Sequence, residues 1–262
     1  FPTWSQGTRA EKIRPMARHW AEVGFGTPVA LHLFYVGKIV AYIVVGWLIV
    51  ISTPGIDGIF DVTAWYNEPI VFQKVVLYTM LFEVVGLGCG FGPLNNRFFP
   101  PLGSILYWLR RKTIRQPPWP HIPLTSGDTR QPFDVVVYGA LLVMIVIALF
   151  SPGTGAIPDL DSSVGLLPVW QIWTIVALLA VIGLRDKTVF LAARGEVYGA
   201  FCVTFLFAGV DMIIGAKLVF LVIWVGAATS KLNKHFPFVI ATMMSNNPIM
   251  RSPAIKRKFF ED

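Results

Sequence analysis

The strongest constraint on this chain is an alternation between long apolar stretches and short loops whose charges are sorted by sign. A helix crossing a bilayer needs about 20 mostly apolar residues, because lipid offers its backbone no hydrogen-bond partners. Six stretches qualify: Val29–Ile51, Ile70–Gly90, Val135–Phe150, Leu167–Leu184, Val189–Ala208 and Val210–Thr229. The third is short and the last two nearly abut. The expected fold is therefore an all-α polytopic membrane helix bundle of about six transmembrane helices plus interfacial helices.

The loops decide the orientation. Arg9, Lys12, Arg14 and Arg18 precede the first stretch; Arg97, Arg110, Arg111, Lys112, Arg115 and Arg130 follow the second. Arg185 and Lys187 follow the fourth, and the tail carries Lys231, Lys234, Arg251, Lys256, Arg257 and Lys258. Residues 52–69 and 151–166 contain no Lys or Arg, only Asp57, Asp61, Glu68, Asp159 and Asp161. Cytoplasmic loops of membrane proteins carry the excess of basic residues. That rule predicts that the N-terminus, the second loop and the C-terminal tail are cytoplasmic. It divides the chain into a cytoplasmic arm (1–28), a membrane domain (29–230) with a cytoplasmic loop (91–134), and a basic tail (231–262).

Composition agrees with a lipid solvent. The 262 residues are 55% hydrophobic and 14% charged, with a mean hydropathy of +0.62, whereas soluble domains average about 25% charged. The net charge of +7 is dispersed between apolar runs rather than gathered into one patch, which speaks against a nucleic-acid partner. Cys89 and Cys202 lie within apolar stretches and read as small hydrophobes, leaving the redox compartment undetermined. No signal peptide is visible. Because the chain starts at Phe1, a longer gene product is expected.

Two stretches suit the membrane surface. Phe98–Leu109 (FFPPLGSILYWL) is too short to span, carries Tyr107 and Trp108, and runs into basic residues; Phe236–Met250 precedes a second basic stretch. Arg110, Arg111, Lys112, Arg115, Lys256, Arg257 and Lys258 are accordingly the expected contacts to anionic lipid headgroups. The run QPPWPHIP (116–123) must be extended, since proline lacks an N–H and biases its predecessor away from helix.

Charge inside a span is costly, so each such residue is a candidate functional group. At a rise of about 1.5 Å per residue, Lys38, Glu83, Arg194 and Glu196 fall at a similar depth in the cytoplasmic half. Lys74 and Lys217 lie in the outer half, and Asp211 near the outer rim. Three readings stand for the first set: structural ion pairs such as Lys38 with Glu83, a polar cavity for a headgroup, ion or proton, or snorkelling to the surface. In the cavity reading Glu83 is the natural proton carrier. His32 stands near enough in sequence to join this set. His19, His121 and His235 lack metal-ligand spacing, so no metal site is expected. Haem ligation by distant histidines stays open. Lys217 invites comparison with a Schiff-base lysine in a last helix, but six stretches rather than seven disfavour it. Gly86, Gly88, Gly90 and Gly92 in GLGCGFGP close a helix rather than open one, unlike a phosphate-binding loop. They suit close packing or an unwound helix end.

Several runs carry a family resemblance: EKIRPMARHW (11–20), GFGTPVALH (24–32), EPIVFQKVVLYTMLFEVVGLGCGFGP (68–93), LYWLR (106–110), PPWP (117–120) and GAATSKLNKHFPFV (226–239). Together they resemble a bacterial family of multi-span membrane proteins of unknown function, found in mycobacteria and some proteobacteria. The resemblance implies a bacterial inner membrane and members with further sequence beyond position 262; it implies no reaction. Leu221–Lys234 (LVIWVGAATSKLNK) is also similar to the closing helix of the membrane domain in vitamin K-dependent carboxylase-like proteins, with Lys231 as the matching lysine.

No catalytic constellation stands out, while nine Trp and twenty Phe suit helix and lipid packing. The expected role is a non-catalytic component of a membrane assembly, with a bound lipid or quinone-like molecule, membrane lipids and other membrane subunits as partners. The alternatives are a membrane enzyme using Lys38, Glu83, Arg194 and Glu196 on a lipid-soluble substrate, and a transporter.

Overall fold

A computed structural model describes residues 6–24, 26–58, 60–88, 105–234, 236–252 and 254–255. In chain order the helices are α1 (Arg9–Val23), α2 (Val29–Ile51), α3 (Val62–Trp65), α4 (Pro69–Val85), α5 (Ile105–Trp108), α6 (Pro132–Phe150), α7 (Val169–Arg185), α8 (Thr188–Ala193), α9 (Gly195–Thr204), α10 (Gly209–Thr229) and α11 (Phe236–Ser245). Short 3₁₀ turns cover Pro158–Leu160 and Pro248–Arg251. Among the described residues there is no strand, only two isolated bridges, Ile114 to Thr129 and Ile157 to Ser162.

Among the described residues three helices, α2, α6 and α10, are long and apolar enough to cross a membrane. α4 and α7 are apolar but have 17 residues each, a length of about 26 Å against a hydrocarbon core of about 30 Å. α2 covers the same residues as the first expected span. The second ends early. Gly86 takes a left-handed conformation (φ +92°) and its N–H returns to the Glu83 carbonyl, so the helix stops at Val85. Cys89 and Gly90 lie outside the described residues.

The fifth expected span needs correction. Instead of one helix over 189–208, α8 and α9 are separated by Arg194, itself left-handed (φ +50°). Hydropathy averages over a window and is blind to one residue that reverses the backbone. Of the two expected surface stretches, residues 98–104 lie outside the described residues and 105–108 form α5; 236–250 forms α11 and the following 3₁₀ turn.

The chain divides into two units. The smaller holds residues 1–36 and 224–262. In it α1 starts with a capping box, Thr8 N–H donating to Glu11 Oε2 at 2.7 Å. α1 then packs on α11: Ser245 Oγ donates to the Ala21 carbonyl, and Asn246 pairs with Thr27 through Nδ2 to Oγ1 at 2.7 Å. Gly24 (φ +73°) allows this approach, since a Cβ there would overlap the Asn246 backbone.

The larger unit, residues 37–223, is built around α4. Its Ile70, Leu77, Met80 and Val84 are fully buried, as are Leu141, Ile145 and Ala148 of α6 and Ile172 and Ile175 of α7. Phe72 packs edge-on against Phe201 and Phe205 of the α9 region at 6.0 and 5.7 Å. Because α4, α6 and α7 alternate in direction, loops 52–68 and 151–168 share one end. Glu68 joins them: its carboxylate accepts from Ser162 Oγ at 2.5 Å and from Ser163 Oγ and N–H at 2.7 and 2.9 Å. Burial raises the Glu68 pKa, but these hydrogen bonds outweigh it and hold the carboxyl below its ordinary value.

Candidate functional site

The polar layer forms where α4 ends. The left-handed turn at Gly86 folds the chain back so that Gly88 lies over Glu83, and a Cβ on Gly88 would overlap the Glu83 carboxylate. Only glycine fits. Lys38, from the middle of α2, donates to the Gly88 carbonyl at 2.6 Å. Lys38 and Glu83 are both buried. Tyr138 of α6 donates to the Val84 carbonyl at 2.8 Å, which satisfies another backbone group at this helix end. From the α8–α9 junction, Arg194 Nε stands 4.0 Å from Glu83 Oε1, with its side chain 55% exposed and that of Glu83 1% exposed. The structure thus brings Lys38, Glu83 and Arg194 around one glycine turn. Glu196 is exposed. His32 belongs to the smaller unit, where its Nδ1 lies 3.1 Å from the Pro28 carbonyl.

Chemically, a buried carboxyl stands between a buried ammonium and a guanidinium that reaches the surface. Among the described residues no His, Cys, Asp and Glu cluster is fit for a metal, and Cys202 is a buried free thiol.

Beside the polar layer, α2, α3 and α4 enclose an open groove of ≈ 500 Å³. Its walls are Tyr42, Ile43, Val44, Gly46, Trp47 and Val50 from α2, Phe60, Val62 and Trp65 from the α3 region, and Val75, Tyr78 and Thr79 from α4. Gly46 allows α2 to approach α4, a Cβ there standing 3.1 Å from the Tyr78 ring. Tyr42, Tyr78 and Phe82 meet in tilted and edge-on ring contacts at 4.5–5.6 Å, and the two tyrosines line the groove. The stripes are continuous in sequence: Lys38 and Tyr42 on α2, Thr79 and Glu83 on α4, each pair one turn apart. The indole N–H of Trp65 is buried with no acceptor among the described residues.

A whole-chain match identifies the lineage: residues 1–262 fit the family model described as transmembrane protein of unknown function, DUF3556. The chain belongs to this family. No curated protein and no solved structure matches it. Family membership makes it a transmembrane protein, in agreement with its apolar helices.

The remaining charges of this DUF3556 member sort by burial. Arg110, Arg111 and Lys112 are exposed. Arg115, expected with them, is 3% exposed. It turns inward because its guanidinium donates to the carbonyls of Arg185 (2.8 Å), Thr129 (3.3 Å) and Ser126, and faces Asp134 at 3.9 Å. Burial lowers its pKa, partly offset by Asp134. Lys256, Arg257 and Lys258 lie outside the described residues. Lys74 is fully buried, donating to Thr53 Oγ1 at 2.8 Å; Asp211 and Lys217 are exposed.

Sequence reasoning missed the network that surrounds Arg115. Arg185 pairs with Asp134, and Arg130 with Asp186, whose Oδ1 also accepts from Thr188 Oγ1 at 2.6 Å. A signal existed: Asp134 and Asp186 are carboxylates at span ends in otherwise basic loops. The groove was missed because aromatic residues in spans read as packing.

Proposed function

We propose that this chain is a multi-pass protein of a bacterial inner membrane, crossing about six times with both termini cytoplasmic, that holds a lipid- or quinone-like molecule. In this reading α2, α4, α6, α7, the broken α8–α9 pair and α10 are the crossings. The observation that carries the ligand is the groove between α2, α3 and α4. Its ≈ 500 Å³ falls within the roughly 300–1,000 Å³ of small-molecule sites. Its walls are apolar, with Ile43 67% and Phe60 87% exposed, so an acyl or isoprenoid chain lies there without losing hydration.

The test is mild-detergent purification followed by mass spectrometry of retained small molecules, comparing wild type with Val75→Trp, which fills the groove. Retention of one lipid or quinone species by the wild type and its loss from the folded variant supports the reading. A wild type that retains nothing, or equal retention by both, overturns it.

A second reading rests on Arg194, whose half-exposed side chain faces buried Glu83. There the polar layer moves a proton or ion during turnover of a lipid-soluble substrate, or across the membrane. Proton uptake in liposomes that is indifferent to Glu83→Gln would dismiss it.

A further inference from the structure

One face of α10 in the larger unit is an apolar stripe interrupted by an exposed lysine. Met212 and Ala216 are buried, and Gly215 packs on Thr204, a Cβ there standing 3.1 Å from its side chain. The opposite stripe, Val210, Ile214, Lys217, Leu218 and Leu221, is exposed. Its spacing is that of a single helical face. Lys217 stands near the middle of this stripe and has no hydrogen bond or ion pair among the described residues.

The position of Lys217 in the helix makes its charge expensive. It lies eight residues from Gly209 and twelve from Thr229, about 12 Å and 18 Å from the two ends. A lysine side chain leaning toward the helix N-terminus falls short of either boundary, so lipid alone leaves the ammonium unsatisfied. The chain offers little help. Asp211, the acidic residue of α10, borders the same exposed stripe but is six positions earlier, about 9 Å along the axis and roughly 120° around the helix from Lys217, beyond the reach of a direct pair. Residues 89–104, outside the described set, contain no Asp or Glu. A second copy docking through the same face by a two-fold axis would set Lys217 against Lys217.

We propose that the Val210–Leu221 face of α10 docks a transmembrane helix of a different protein, one carrying an Asp or Glu at the depth of Lys217. The apolar stripe supplies packing and the Lys217–carboxylate pair supplies register and partner choice, as buried polar positions do in helical assemblies.

A photo-crosslinking amino acid at Leu218 or Leu221, in the full chain within its native membrane, tests this. The expected result is one dominant protein adduct whose spanning helix carries an Asp or Glu. Lys217→Glu weakens its recovery roughly thirtyfold or more, and exchanging the partner's carboxylate for Lys restores it. Lys217→Leu covers a failure of the Glu variant to fold: it melts at or above the wild-type temperature when isolated, yet loses the adduct to the same degree. Adducts confined to lipid or to a second copy, a captured helix without a carboxylate, or an adduct that survives Lys217→Leu overturn the proposal.

Discussion

Gly88 and Glu83 are in mutual exclusion: the space a Cβ at position 88 would take is filled by the Glu83 carboxylate. Because Lys38 binds the Gly88 carbonyl in the same place, displacement of this turn disturbs both buried charges at once. Gly88→Ala should therefore destabilise by about 1–3 kcal/mol, the usual cost of overpacking. The thermal midpoint in detergent reads it, and an unchanged midpoint would show that the turn yields freely. Glu83→Ala in the same background removes the obstruction and should recover part of the loss.

The charge network at the loop end gives a sharper test of buried pairing. Arg130 and Asp186 have side chains 4% and 7% exposed, so removing one partner leaves a charge without water. Asp186→Asn should cost about 3–5 kcal/mol, whereas Arg130→Met with Asp186→Leu should cost much less. Denaturation of the three proteins distinguishes this from a surface pair. Moderate salt should change none of these differences, since buried charges are poorly screened.

How far the sequence foretold the molecule depends on the scale of the feature. Apolar length and charge sign are properties of many residues, and they located α2 to the residue. Features decided by one backbone torsion escaped: Arg194 splits α8 from α9, and Gly86 ends α4 before its apolar run ends. Side-chain direction escaped as well. Arg115 has the sequence neighbourhood of a headgroup contact, yet it faces the carbonyls of Arg185, Thr129 and Ser126 because the loop closes around it.

Glu68 links loop 151–168 to the start of α4, and its pH dependence has a definite sign. Its carboxyl is held below the ordinary 4.5 by the Ser162 and Ser163 hydrogen bonds acting against burial. A depressed folded-state pKa contributes stability that is present above the unfolded value and lost as pH falls through the folded one. Loop 151–168 should thus resist proteolysis at and above pH 4.5 and open only on further acidification. Glu68→Gln should open the loop at neutral pH and flatten the acid response; equal cleavage of both proteins across the range would refute the clasp.

Arg194 joins two costs in one residue. A non-glycine side chain at φ +50° carries roughly 1–2 kcal/mol of backbone strain. Its contact with Glu83 at 4.0 Å returns little, because a side chain 55% exposed is well screened. Arg194→Gly should accordingly stabilise the fold by about 1 kcal/mol, read as a higher thermal midpoint. Strained backbone of this kind is commonest at functional sites. The same variant should then lose whatever passes between Glu83 and the surface, read as proton or ion uptake in liposomes. A variant that melts lower than wild type would instead make Arg194 a structural strut, and a stabilised variant with intact uptake would leave the polar layer without its outlet.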